Sequence, residues 1–190
     1  MLNKKYFTTI RQDLLAYAEK RREVIKAAGD AQHAAKKTIF ALQRDDLKAG
    51  TESLEYAREK LTGLYKKYQS EPDLFAEGSY RAGLEEFVEA TLFQQFLDKK
   101  NLDQIKGLPI DSDLFVSGLC DLPGEILRYA IKLATARKHS DVKNCLGAVQ
   151  EIISELVDMD LTGYNRQKFD QAKQALNKLE QVVYELSLKP

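Results

Sequence analysis

Histidine and cysteine are scarce in this 190-residue chain, and each scarcity excludes something. The two histidines, His33 and His139, stand in no Glu-x-x-His motif, which argues against a ferritin-type di-iron centre. The two cysteines, Cys120 and Cys145, form no CxxC and have no adjacent histidine. They read as free core thiols of a reducing compartment rather than as a disulfide frame or a zinc site. Net charge is also missing, since 29 basic residues balance 29 acidic ones. A global basic field of the kind that announces nucleic-acid binding is absent, and only local basic patches remain for that work. No apolar run reaches the ~18 residues a membrane span needs, and the N-terminal "MLNKKYFTTIRQDLL" turns charged too soon for a signal peptide. The expectation is a soluble, cytoplasmic protein with no membrane partner. Strand-like alternation is lacking as well.

What is present is helical rhythm. Leu14, Tyr17, Arg21, Val24, Ala28, Ala31, Ala35, Thr38 and Leu42 follow an alternating three–four spacing. The same spacing runs through Leu54 to Tyr68, Val142 to Leu156 and Phe169 to Leu186. It lays one stripe along each helix, the pattern of bundles with shallow crossing angles. Gly50 reads as a helix stop followed by Thr51 as an N-cap, and Pro72 suits a first helical turn. The spacing predicts helices over 5–47, 52–69, 73–99, 113–138, 141–159 and 164–187, with a short turn near 101–106. The predicted fold is all-α, a single-domain bundle of six to seven helices spanning residues 1–190.

Two segments break the rule that core helices carry few acids. In "GLEEFVEATLFQQFL" (83–97), Glu86 and Glu89 continue an apolar face instead of a solvated one. In "GLCDLPGEILRYAI" (118–131), Asp121 and Glu125 are one turn apart if the helix is continuous. Pro123 lies between them, so the helix either passes through with a lost hydrogen bond or starts there, with Asp121 as a mere cap. Buried carboxylates need a cation, a metal or a proton. An all-oxygen donor set suits Mg²⁺ or Mn²⁺, which can activate water and neutralise charge on a phosphodiester.

Together with "AKKTIFALQR" (35–44) and "KLEQVVYELSL" (178–188), these stretches resemble the translin/Trax family in order and spacing from about residue 20 onward. The resemblance implies all-helical subunits that assemble into hollow octamers binding single-stranded RNA or DNA. Trax-type members carry a carboxylate cluster and act as metal-dependent endoribonucleases; translin-type members bind nucleic acid without the full cluster. On this resemblance the catalytic and metal-binding positions fall on Glu86, Glu89, Asp121 and Glu125. All four match, as in Trax-like microbial, archaeal-type members that build homo-oligomers from one chain type. Pro123 departs from the threonine common in Trax-type segments, and the longer insert of animal Trax between the two acidic helices is absent.

The resemblance also selects Lys36, Lys37 and Arg44 as RNA contacts, while Glu85 reads as a solvated or salt-bridged acid. Three functions stay open: a Mg²⁺- or Mn²⁺-dependent endoribonuclease, a non-catalytic single-stranded nucleic-acid-binding assembly, and an all-α nucleotide pyrophosphohydrolase. The last usually ends its motif in ExxD, where this chain has DxxxE.

Overall fold

The computed structural model describes residues 1–188, and among them every regular element is a helix. These are α1 (Lys4–Gln43), α2 (Leu47–Tyr68), α3 (Pro72–Phe75), α4 (Gly78–Leu97), α5 (Ser112–Thr135), α6 (His139–Val157) and α7 (Gly163–Ser187). Helices α1, α4, α5 and α7 pack side by side in that order. Helix α2 fills the groove between α1 and α4, and α6 fills that between α5 and α7. Two three-helix units therefore meet along the α4–α5 seam. None of the helices is long and apolar enough to cross a membrane.

The predicted stop at Gly50 is not where the chain turns. Helix α1 ends at Gln43, Asp45 takes a left-handed φ of 62°, and the Asp46 carboxylate caps α2 by accepting from the Ala49 amide at 3.1 Å. Gly50 lies inside α2, where an added Cβ would stand 2.9 Å from Leu42 Cδ2. Its smallness serves close helix approach rather than helix termination. The predicted run 73–99 also divides. Pro72 opens a single turn, and the chain then bends at Ala76 and Glu77 so that Phe75 can pack between Tyr65 and Tyr80, with ring centroids 5.7 and 5.0 Å away. No turn of helix forms over 101–106. The connection from 101 to 110 has no regular structure, and its Leu102, Ile105, Leu108 and Ile110 are partly buried on the core.

The core stripe of α1 begins later than its spacing suggests. From Val24 onward the stripe is buried, but Leu14 and Tyr17 are exposed because no other helix covers that end. Along the rest of the bundle small residues set the helix separations. A Cβ on Gly83 would come within 3.1 Å of the Ala28 carbonyl oxygen, seating α4 on α1. A Cβ on Gly118 would meet Val88 Cγ1 at 2.6 Å and the Glu89 amide nitrogen at 3.1 Å, so α5 lies almost backbone to backbone on α4. Helix α5 runs unbroken through Pro123 and is capped by Asp111, whose carboxylate accepts from the Leu114 amide at 2.7 Å. Asp121 is therefore not a cap. It stands in mid-helix, one turn before Glu125.

Candidate functional site

The close seat at Gly118 decides what the acids meet. Glu86 and Glu89 on α4 look across the seam at Asp121 and Glu125 on α5, and the flanking helices α1 and α7 close the two sides. All four helices of the row contribute a polar side chain here. From α1, Lys36 Nζ lies 3.6 Å from Glu86 Oε2. Buried Gln43 donates from Nε2 to the Glu125 carbonyl at 2.9 Å and to Glu125 Oε2 at 2.8 Å. From α7, Lys168 reaches Glu85 Oε1 at 2.5 Å and also pairs with Asp121. Arg128 Nη1, on α5 itself, is 3.8 Å from Glu125 Oε2.

These carboxylates feel one another. Burial raises the Glu89 carboxyl to about 9, and repulsion from Asp121, Glu86 and Glu125 adds to it; Lys168 is the one cation easing it, and the weakest of these influences. Burial likewise holds Glu86 above the usual carboxylate range, with the Lys36 ammonium pulling the other way. Asp121 is pushed up by burial more than Lys168 draws it down. For Lys168, burial alone would lower the ammonium, but its hydrogen bonds to Asp121 and Glu85 outweigh that and raise it. Five carboxylates, counting Glu85, thus face three cations, Lys36, Arg128 and Lys168. Fully ionised, the set would carry an excess of two negative charges, the charge of one divalent ion, and Glu89 reaches that state only by giving up its proton.

By donor chemistry the set fits a hard cation such as Mg²⁺ or Mn²⁺, since it offers oxygen alone and leaves Glu89 without a close counterion. As the side chains stand, however, no three acidic, histidine or cysteine groups among the described residues come close enough together to enclose an ion. Lys168, from α7, holds Asp121, and Gln43, from α1, holds Glu125.

Of the basic residues singled out in the sequence, Lys36 reaches the acidic cluster, while Lys37, on α1, and Arg44, its C-cap, are exposed. Glu85 is salt-bridged and hydrogen-bonded to Tyr164 Oη at 3.1 Å, as one of its two expected roles had it. Lys168 was missed, although a signal existed. Asn165 and Lys168 extend, at three–four spacing, the buried stripe Ala172, Ala175 and Leu179, so a lysine was written into a core register. The thiols of Cys120 and Cys145 are free and buried, with burial pushing them up to about 12 and about 11. They are packing residues.

Residues 19–190 match the Translin family model. Translin from Bos taurus and from Homo sapiens are each 24% identical to the chain over 209 residues, covering 96% of it and 92% of each relative. Among solved structures, apo-NeC3PO superposes with a TM-score of 0.87 at 19% identity, covering 98% of both chains. AfC3PO gives 0.85 at 18% identity, and the AfC3PO–duplex RNA complex gives 0.82 at 18%, each covering 96% of this chain and 97% of the other. At those identities the structural likeness establishes the fold. The family match spans nearly the whole sequence, and the chain belongs to the Translin family.

Proposed function

We propose that this protein is a Mg²⁺- or Mn²⁺-dependent endoribonuclease that cuts phosphodiester bonds of single-stranded RNA inside a homo-oligomeric, octameric shell. The observation that carries the reading is Glu89, a carboxyl half-buried among three others with its proton affinity raised to about 9 and no close counterion. Placing an acid there is costly unless a cation or a proton is used. Glu86, Glu89, Asp121 and Glu125 would hold the ion, which supplies Lewis-acid stabilisation of phosphate charge and a more acidic bound water. Lys36 would return positive charge to the rim, where an anionic strand must approach an acidic cluster. Gln43 and Arg128 orient Glu125, and Lys168 orients Asp121. The RNA held by AfC3PO, whose fold this chain shares, supports a polynucleotide as the substrate class.

A second reading is a non-catalytic nucleic-acid-binding shell of the translin type. The Lys168–Asp121 pair favours it, because an internal ammonium already meets part of the charge demand. Cleavage of short end-labelled RNA, single-stranded and duplex, separates the two. The nuclease reading expects internal cuts with Mn²⁺, none with EDTA, and none from Glu89→Gln or Asp121→Asn. Binding without cleavage under any divalent cation would leave the shell alone standing.

A further inference from the structure

One aromatic side chain next to the acidic cluster is not used by the packing. Phe40 is 52% exposed on α1. It stands one turn after Lys36, which reaches Glu86, and about one turn before Gln43, which donates to Glu125. Phenylalanine at a helix surface is ordinarily unremarkable, yet this one is already engaged by a cation. The Arg128 guanidinium lies over its ring at 4.8 Å from the centroid, and the same guanidinium is 3.8 Å from Glu125. The arginine thus ties the ring to the carboxylate. Half the ring surface stays open to solvent, and Arg128 keeps half of its own side chain exposed.

An exposed ring with a guanidinium over one of its faces is a combination that single-stranded nucleic acids meet on their binding proteins. The ring stacks a base, and the arginine adds cation–π and phosphate contacts. The setting also requires such a device. The acidic cluster repels phosphates, and a strand that must lie against it needs attachment that does not depend on backbone charge alone. We propose that Phe40 and Arg128 form a nucleobase platform at the rim of the carboxylate cluster, taking one unstacked base of a single-stranded polynucleotide. This rests on the polynucleotide reading above and deepens it, since it favours single strands over duplexes, whose bases are already stacked.

The chain contains no tryptophan, so Phe40→Trp installs a single tryptophan at the platform, which can be excited selectively over the tyrosines. Titrations are run in EDTA, which keeps cleavage out of the measurement. The probes are a single-stranded oligoadenylate and an abasic oligomer of equal length. Oligoadenylate is expected to quench the tryptophan and the abasic oligomer to leave it bright. Phe40→Ala is expected to weaken oligoadenylate binding about tenfold, with Phe40→Tyr retaining it and abasic binding unchanged. A tryptophan indifferent to the base, or Phe40→Ala binding equal to the parent protein, overturns the platform while leaving the polynucleotide reading intact. A parent protein that binds neither oligomer overturns both. Light scattering on Phe40→Ala completes the test: a changed assembly mass would make Phe40 a contact between copies and overturn the platform.

Discussion

Lys168 Nζ sits 2.5 Å from Glu85 Oε1, with its side chain only 8% exposed, and the same ammonium holds Asp121. A buried lysine bridging α4 and α5 from a third helix is a cation built into the acidic cluster. Breaking a buried pair by removing one partner strands the other.

Replacing Lys168 by methionine, similar in length and uncharged, is therefore expected to destabilise the protein by roughly 2–4 kcal/mol in EDTA. The value stays below that of a fully buried pair because Glu85 and Asp121 keep 21% and 28% of their side-chain exposure. Urea denaturation measures it. The same variant is expected to bind Mn²⁺ more tightly by calorimetry, as the ammonium no longer competes for Asp121. Unchanged Mn²⁺ affinity would mean that Lys168 and the ion do not share a site.

Glu89 gives the protein a pH signature. Its carboxyl keeps a proton up to about 9 when folded, against an ordinary value of 4.5 when unfolded. Between these values the folded state holds more protons, so its stability falls as pH rises and levels off above the folded value. Glu86 and Asp121, also raised, act in the same direction. Thermal melts in EDTA should show Tm declining across this window. Glu89→Gln should flatten the decline and raise Tm by about 5 °C near pH 8. A Gln variant with the parent's pH profile would remove Glu89 as the source.

Gly118→Ala tests the seam. The new methyl would meet Val88 and the Glu89 backbone, so a loss of about 1–3 kcal/mol is expected from overpacking. Gly29→Ala and Gly147→Ala serve as contrasts, since nothing lies within 4 Å of either added Cβ. Both are helix-interior positions and should gain about 0.5–1 kcal/mol. Equal effects at all three sites would mean that the seam has no special tightness.

We propose that Lys37, on α1, and Arg44, at its C-cap, contact the strand. Each alanine variant should weaken single-stranded RNA binding and reduce the slope of log affinity against log salt by about 0.7. Measuring affinity at several salt concentrations decides it. A variant whose slope matches the parent's does not touch phosphate.

Much of this architecture was legible in the sequence because helical periodicity is a local signal. The stripe from Val24 to Leu42 is buried as its spacing implies, and in that from Phe169 to Leu186 Phe169, Ala172 and Leu179 are buried while Leu176, Val183 and Leu186 are partly so. Placing Glu86 with Glu89 and Asp121 with Glu125 needed only the helix period and a helix continuous through Pro123. The misreadings came from residues whose role is set by tertiary contact. Gly50 resembles a stop in isolation, and only the closeness of Leu42 shows that it is a packing glycine. Leu14 and Tyr17 keep the core rhythm but lie beyond the end of the bundle. Lys168 is 47 residues from Asp121 in sequence, and no local pattern connects them.

The backbone-to-backbone seat at Gly118, with its counterpart at Gly83, has a consequence for tolerance to sequence change. The spacing of the acid-bearing helices is set where Gly118 lies against Val88 and the Glu89 amide nitrogen. Leucines and valines elsewhere in the bundle can then exchange with one another while the two pairs of carboxylates keep their separation. A framework of this kind can drift far in composition and keep its fold, which accords with a TM-score of 0.87 at 19% identity.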